Sequence, residues 1–430
     1  MPQKKHDLIN QTLQDLNNDG VNRRGFLRCM AWAGTGLVWT LSGGIPISRA
    51  FGSVKDSGKG ADFSFVQISD SHIGFNKAAN PDVTATLQVA INRINALPHK
   101  PDFIIHSGDL SQLSKPSEFD TLDQALKGVS AKQVYFVPGE HDMLTDNGEQ
   151  YLQRYGKGTK GAGWYSFDHK GVHFVGLVNV VNLKAGGLGS LGHEQLEWLE
   201  ADLKGRSAST PVVLFAHIPL WTIYPDWGWG TDDSEQALSY VKRFGSVTVL
   251  NGHIHQVMQK IEGKVSFHTA MSTAFPQPAP GSAPSAGPMK VPAEQLQRVL
   301  GITDVNYLVS GRSLAAIDSP LDSSTSSTPA KAASDGAQAS AAATSSGSSS
   351  EVKIDNFAFT PGGVTVKPGT EVTWVNRDDI PHTVDSTQGT FKSPPLDTND
   401  RFTFRFTERG EYPYYCRMHP KMTAKIIVQA

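Results

Sequence analysis

From Leu321 to Ser350 the chain is almost entirely Ser, Ala, Thr and Gly. Such a stretch has too little apolar surface to offset the entropy lost on ordering, so no single core can run through it. It divides the 430 residues into two units that must each bury their own apolar surface. It reads as a flexible tether with an average span of roughly 30 Å, which predicts independent motion of the two units. The expected layout is a leader over 1–50, a larger unit over 60–320, the tether over 321–350 and a small unit over 351–430.

The leader is read from Asn22-Arg23-Arg24-Gly25-Phe26-Leu27-Arg28, an apolar run from Ala31 to Leu41, and the small residues flanking Arg49. A charged start, a modest apolar core and a small-residue exit make a signal peptide. The arginine pair followed by Phe-Leu resembles the bacterial twin-arginine signal, with Asn22 where Ser or Thr is usual, and implies a periplasmic or secreted protein. The other reading is an ordinary amphipathic tail or a membrane anchor, and a retained anchor would leave the protein tethered but still facing outward. No stretch after residue 50 is long and apolar enough to span a bilayer, so no stable membrane span is expected in the mature protein. Losing the leader removes Cys29 and leaves Cys416 without an intramolecular partner. A lone thiol in an oxidising compartment is a liability unless buried or bound to a metal.

In the larger unit, apolar runs at Phe63–Ile68, Phe103–Ile105, Val134–Val137, Val172–Val178, Val212–Phe215 and Val247–Leu250 predict buried strands. Helical spacing of Val83, Leu87, Ile91 and Ile94, and of Leu196, Leu199 and Leu203, places helices between them, giving an α/β layered fold. A short helix is expected near Ala293–Leu300. Beyond the tether, short alternating runs at Val364–Val366, Glu371–Val375, Arg401–Phe406 and Ala424–Val428 predict an all-β sandwich. A net charge of -2 with no basic stripe excludes nucleic acid as an expected partner.

Five segments place acids or histidines just after these strands: Asp70-Ser71-His72, Gly108-Asp109, Gly139-Glu140-His141-Asp142, His217, and Gly252-His253-Ile254-His255. Ligands gather beyond the carboxyl ends of strands in α/β sheets, and a mixed oxygen and nitrogen donor set suits Zn, Mn or Fe. The ordered set resembles the calcineurin-like metallophosphoesterase superfamily over roughly residues 62–275. That resemblance implies one metal on Asp70, His72, Asp109 and His255, and a second on Asp109 as bridge, Glu140, His217 and His253. It implies His141 outside the metal shell as the acid that protonates the leaving group, with a metal-activated hydroxide attacking phosphorus. Glu140 stands where the family usually has Asn, which adds a negative charge and puts the strength of catalysis in question. Gln112 stands where the purple acid phosphatases carry a Tyr ligand, so no Tyr-ligated iron centre is expected. His106 and His268 lie on apolar strands and read as core residues. The aromatic loop Trp221–Trp229 has two open readings, a substrate-stacking rim or packing on the scaffold.

Near the C-terminus, Cys416-Arg417-Met418-His419-Pro420-Lys421-Met422 sits on one tight loop, and His382 lies upstream after Pro381. A thiolate, two imidazoles and a thioether form the donor set of a type 1 copper site. The pattern resembles cupredoxins of the plastocyanin and amicyanin kind over about residues 351–430, implying a Greek-key sandwich that binds one copper ion through His382, Cys416, His419 and Met422. Two functions follow. The first is an exported binuclear-metal hydrolase of phosphomonoesters or phosphodiesters with an accessory copper domain and a redox partner for it. The second is a copper-binding electron carrier whose phosphoesterase-like unit is catalytically weakened, with Glu140 as the hint.

Overall fold

The computed structural model describes residues 37–42, 45–50, 63–308, 313–322 and 350–430. The expected leader lies outside the described residues apart from the backbone of one antiparallel pair, β1 (Leu37–Ser42) and β2 (Ile45–Ala50). The tether lies outside them over 323–349. No helix among the described residues is long and apolar enough to cross a membrane.

The larger unit stacks two mixed sheets face to face. One contains β3 (Phe63–Ile68), β4 (Phe103–His106) and β5 (Val134–Phe136) in parallel, extended antiparallel at β3 by a later hairpin, Gly301–Leu308 with Ser313–Pro320. The other contains β6 (Tyr165–His169), β7 (Val172–Gly176), β8 (Val212–Phe215) and β9 (Val247–Asn251), then β10 (Gln259–Glu262) and β11 (Val265–Thr269) beyond β9. Its four inner strands β7, β8, β9 and β11 are parallel. The two-residue period of a strand sorts the side chains between layers. Phe63 and Phe65 of β3 pack between the sheets with Phe103, Phe174 and Phe215. Val66 and Ile68 point the other way, under helices Val83–Asn95 and Pro116–Leu126. Helices His193–Leu203 and Ser234–Val241 cover the second sheet. With both faces covered, β7, β8 and β9 are apolar runs, which is why the sequence predicts them as buried strands.

The smaller unit has two four-stranded sheets around fully buried Trp374, whose ring meets Phe391, Phe402, Phe406 and Tyr414. Each sheet contains one parallel pair, Ser350–Asp355 on Thr370–Asn376 and Gly363–Val366 on Thr423–Val428, so the sheets are mixed.

The expected independent motion is corrected by the contact between the units. Ile380 is 5% exposed and, with Phe357, joins the apolar cluster of the larger unit. Leu113 and Leu144 in turn join the core of the smaller one. Ser285 Oγ donates to Asn356 Oδ1 (2.8 Å), Arg417 Nη2 donates to the Leu144 carbonyl (3.2 Å), Lys77 faces Asp397 (3.6 Å), and Gly186 N–H donates to the Pro420 carbonyl. A tether's composition sets its reach and says nothing about what the bodies at its ends bury against each other.

Candidate functional site

Every parallel strand of the larger unit that points at the site ends just short of a donor. Asp70 and His72 follow β3, Asp109 follows β4, Glu140 and His141 follow β5, His217 follows β8, and His253 and His255 follow β9. The chain turns abruptly there. Asp70, His72, Asp109, His253 and His255 all have left-handed backbones, with φ between 42° and 71°. For residues with a Cβ this conformation is costly, of order 1 kcal/mol or more each, and it collects where surroundings over-determine a functional geometry. Gly139 is required for a different reason: a Cβ there would collide with the Asp109 carboxylate and backbone nitrogen.

The donors converge. Oxygen and nitrogen atoms of Asp70, His72 and His255 lie within 4.8 Å of one another, as do those of Glu140, His217 and His253. Asp109 Oδ2 stands between the sets, 3.5 Å from His72 Nε2 and 3.3 Å from His217 Nε2. All seven expected residues are therefore brought to one place.

The arrangement fits cations better than it fits hydrogen bonding. His255 Nδ1 donates to the Phe275 carbonyl (2.6 Å), His217 Nδ1 to the Ser107 carbonyl (2.8 Å), and His72 Nδ1 to Gln112 Oε1 (2.9 Å). A carbonyl only accepts, so each ring carries its proton on Nδ1 and turns Nε2 inward. His72 Nε2 and His255 Nε2 then face each other across 3.2 Å as two lone pairs, an arrangement that a cation between them relieves. Glu140 Oε2 and His217 Nε2 lie 3.1 Å apart, both buried, and neither makes a hydrogen bond. Burial alone would raise the carboxyl groups of Asp70, Asp109 and Glu140, but the surrounding imidazoles outweigh it and hold all three below their ordinary values. Burial opposes a charge on His217 too, yet Asp109 and Glu140 push it well above the usual histidine range. His72 goes the other way, down to about 3, because burial dominates. The carboxylates demand positive charge at this point.

His141 sits beside the donors, its ring edge-on to His72 with centroids 4.6 Å apart. Its Nδ1 donates to the Gln112 carbonyl (2.8 Å), which leaves Nε2 for the cleft. Asp142 is buried and braces the turn, accepting from the Leu110, Ser111 and Gly139 amides and from Ser111 Oγ. His106 and His268 are buried as expected, on Ser71 Oγ (2.8 Å) and Asp318 (3.1 Å). The aromatic loop divides between its two readings. Trp221 packs on Phe267, whereas Trp227 and Trp229 both line the cleft, Trp229 with only 1% of its surface exposed. Gln112, Ser107 and Phe275 orient the imidazoles and were not singled out as doing so. Two of them act through backbone carbonyls, which any residue supplies, and Gln112 gave only the signal of replacing a Tyr.

The second cluster is in the smaller unit. Cys416 Sγ is 3.5 Å from His419 Nδ1, which is 3.2 Å from His382 Nδ1. Asp378 Oδ2 holds His382 Nε2 at 2.8 Å, and the Thr383 amide donates to the sulfur (3.3 Å). Burial opposes ionising the Cys416 thiol, but the His419 charge and the two histidine contacts outweigh it and hold the thiol well below its usual range. Burial also works against a charge on His382, and Asp378 and the sulfur overcome it, raising the ring to about 9. Met422 closes the loop, its amide donating to the His419 carbonyl (2.8 Å), with its side chain buried. A buried thiolate pinned between two imidazoles suits copper. Asp378 was missed because a carboxylate four residues before a histidine has many ordinary uses.

The two clusters open on one cleft. His141, His253 and Trp227 line it from the larger unit, and Phe357, Ile380 and His419 from the smaller.

A family model described as calcineurin-like phosphoesterase matches residues 63–257, and one described as cupredoxin-like domain matches residues 330–428. Amicyanin-alpha of Methylorubrum extorquens is 35% identical over 86 residues, covering 19% of this chain and 72% of that protein. The serine/threonine-protein phosphatase CPPED1 of Danio rerio is 30% identical over 227 residues, covering 45% and 70%. A probable glycerophosphodiester phosphodiesterase, GpdQ, of Arcobacter nitrofigilis is 26% identical over 225 residues, covering 48% and 77%.

Proposed function

The chain belongs to the calcineurin-like phosphoesterase family and carries a cupredoxin-like domain in the same polypeptide, and we propose that it is an exported hydrolase of phosphate esters with a type 1 copper site. The carrying observation is the convergence of Asp70, His72, Asp109, Glu140, His217, His253 and His255 on one buried point with their imidazole Nε2 and Nδ1 atoms turned inward. These residues would hold two divalent or trivalent ions (Fe, Mn or Zn), and Asp109 stands between the two donor sets. A metal pair there supplies positive charge to the phosphoryl oxygens and lowers the pKa of water. The protein's own part is to fix the donors through the Phe275, Ser107 and Gln112 carbonyl groups, to exclude bulk water by burial, and to place His141 Nε2 where a leaving alkoxide needs a proton.

The relatives include a named protein phosphatase and a named phosphodiesterase, so both monoesters and diesters belong in the test. Purified, metal-loaded protein should turn over nitrophenyl mono- or diesters and lose that activity with Asp109→Asn. A blue protein inert on the whole series under several metals would overturn the hydrolase. It would favour the second reading, a copper electron carrier with a weakened esterase, for which Glu140 in place of Asn is the supporting residue. Copper would be held by His382, Cys416 and His419 together with the thioether of Met422. The export part rests on Arg23-Arg24 and is tested by replacing both with Lys and measuring delivery to the periplasm.

A further inference from the structure

Phe357 belongs to the copper domain by sequence and to the phosphoesterase cleft by position. It lines the cleft together with His141, His253 and Trp227, and its ring lies edge-on to both copper-site imidazoles, with centroids 4.6 Å from His419 and 5.3 Å from His382. On the esterase side it meets Gly287, where an added Cβ would come within 3.1 Å of the ring.

The turn that presents it is built for the purpose. Asn356 and Phe357 are consecutive non-glycine residues with left-handed backbones, φ 54° and 56°. Asp378 stabilises this turn by accepting from both of their amides, 2.9 Å at Phe357. The same carboxylate holds His382 Nε2 at 2.8 Å. One side chain thus fixes a copper-site imidazole and the wall of the neighbouring cleft. The docking that brings the wall into place is pinned on three loops of the mouth: the Leu144 carbonyl just past the Glu140–His141 turn, Ser285 beside Gly287, and Gly186.

We infer that Phe357 is a specificity-determining residue of the phosphoesterase site, so that the docked chain takes small or slender phosphate esters and excludes phosphorylated macromolecules. The inference rests on the hydrolase reading above. A phosphoryl group must reach His141 and His253 past Phe357 and Trp227, and a folded protein or duplex cannot follow it between two docked domains. Small esters need no such opening.

The test uses the full-length, metal-loaded protein with 4-nitrophenyl phosphate, bis(4-nitrophenyl) phosphate and a phosphoserine-bearing folded protein as probes. Phe357→Ala widens the cleft and Leu144→Asp places a charge in the docking surface. Both should raise kcat/KM for the phosphoprotein relative to the small esters by about tenfold or more. Small-angle scattering and amide exchange on the metal-free chain supply a readout independent of turnover. Leu144→Asp should expand the particle and unprotect amides near Ser285, Phe357→Ala should stay compact, and Phe357→Leu should restore the wild-type preference. Small-ester turnover with an unchanged preference in Phe357→Ala, or in an expanded Leu144→Asp protein, overturns the inference and leaves the hydrolase standing. Absence of turnover on every probe in every protein removes both.

Discussion

His141 and Glu140 are neighbours in sequence with separable jobs. With Nδ1 committed to the Gln112 carbonyl, His141 has one nitrogen left to give a proton. His141→Asn should slow esters of poor leaving groups by about 10²–10⁴, and nitrophenyl esters far less, because nitrophenolate departs without protonation. A leaving-group series checks this, and equal slowing across it removes the acid role. Glu140 puts one oxygen 3.1 Å from His217 and the other 3.0 Å from His253. Glu140→Asn deletes the negative charge between two imidazoles, so the second ion should bind more weakly. Metal titration should need more metal for half-maximal activity, and an unchanged titration curve would show that the carboxylate does not reach the ion. The seven donors were legible because acids and histidines stand in a fixed order just after apolar runs. Their orienting partners were not, since the carbonyls of Ser107 and Phe275 are backbone groups whose position only the fold decides.

Among the elements, the β6–β7 hairpin is tied to helix His193–Leu203 by one buried imidazole. His173 Nδ1 faces Asp168 (2.9 Å) and its Nε2 faces Asp202 (2.7 Å). Burial pushes both carboxyl groups up, but contacts with His173, the Arg206 charge and, for Asp202, the Ser166 hydroxyl outweigh it and leave both below the ordinary 3.8. A group depressed in the folded state binds fewer protons there, so its stabilisation is present above its unfolded pKa and disappears as the pH falls through the folded value. Thermal stability of the larger unit should therefore drop as the pH goes below about 4. Asp202→Asn should lower stability at neutral pH and flatten that acid limb; an unaltered melting profile against pH would count against the tie. Most strands that sequence reading placed are short apolar runs, buried as in Phe63–Ile68 and Val212–Phe215 or half-buried as in Val134–Phe136. It did not place Tyr165–His169, half-buried with a mixed pattern, or the antiparallel hairpin Gly301–Pro320, whose alternation of Thr, Asp and Asn with apolar residues looks like loop until it pairs with β3.

For the molecule as a whole, the open matter is what holds two domains together when the chain between them is Ser and Ala. The tether set the expectation of separate motion, and the docked surface was invisible in sequence because single apolar side chains such as Leu113, Leu144, Phe357 and Ile380 carry no mark that they pack across domains rather than within one. That surface is mainly apolar. Its ion pair of Lys77 with Asp397 at 3.6 Å is partly exposed and so contributes about 0–1 kcal/mol, while salt at 1 M shortens electrostatic reach to about 3 Å. Apolar burial is not screened, and concentrated salt if anything favours it. Scattering from the intact protein should consequently give the same compact particle at low and at molar salt. Asp397→Ala should leave that particle unchanged. Expansion on adding salt would mean that charge, rather than the apolar contact of Ile380 and Leu144, holds the copper domain over the phosphoesterase cleft.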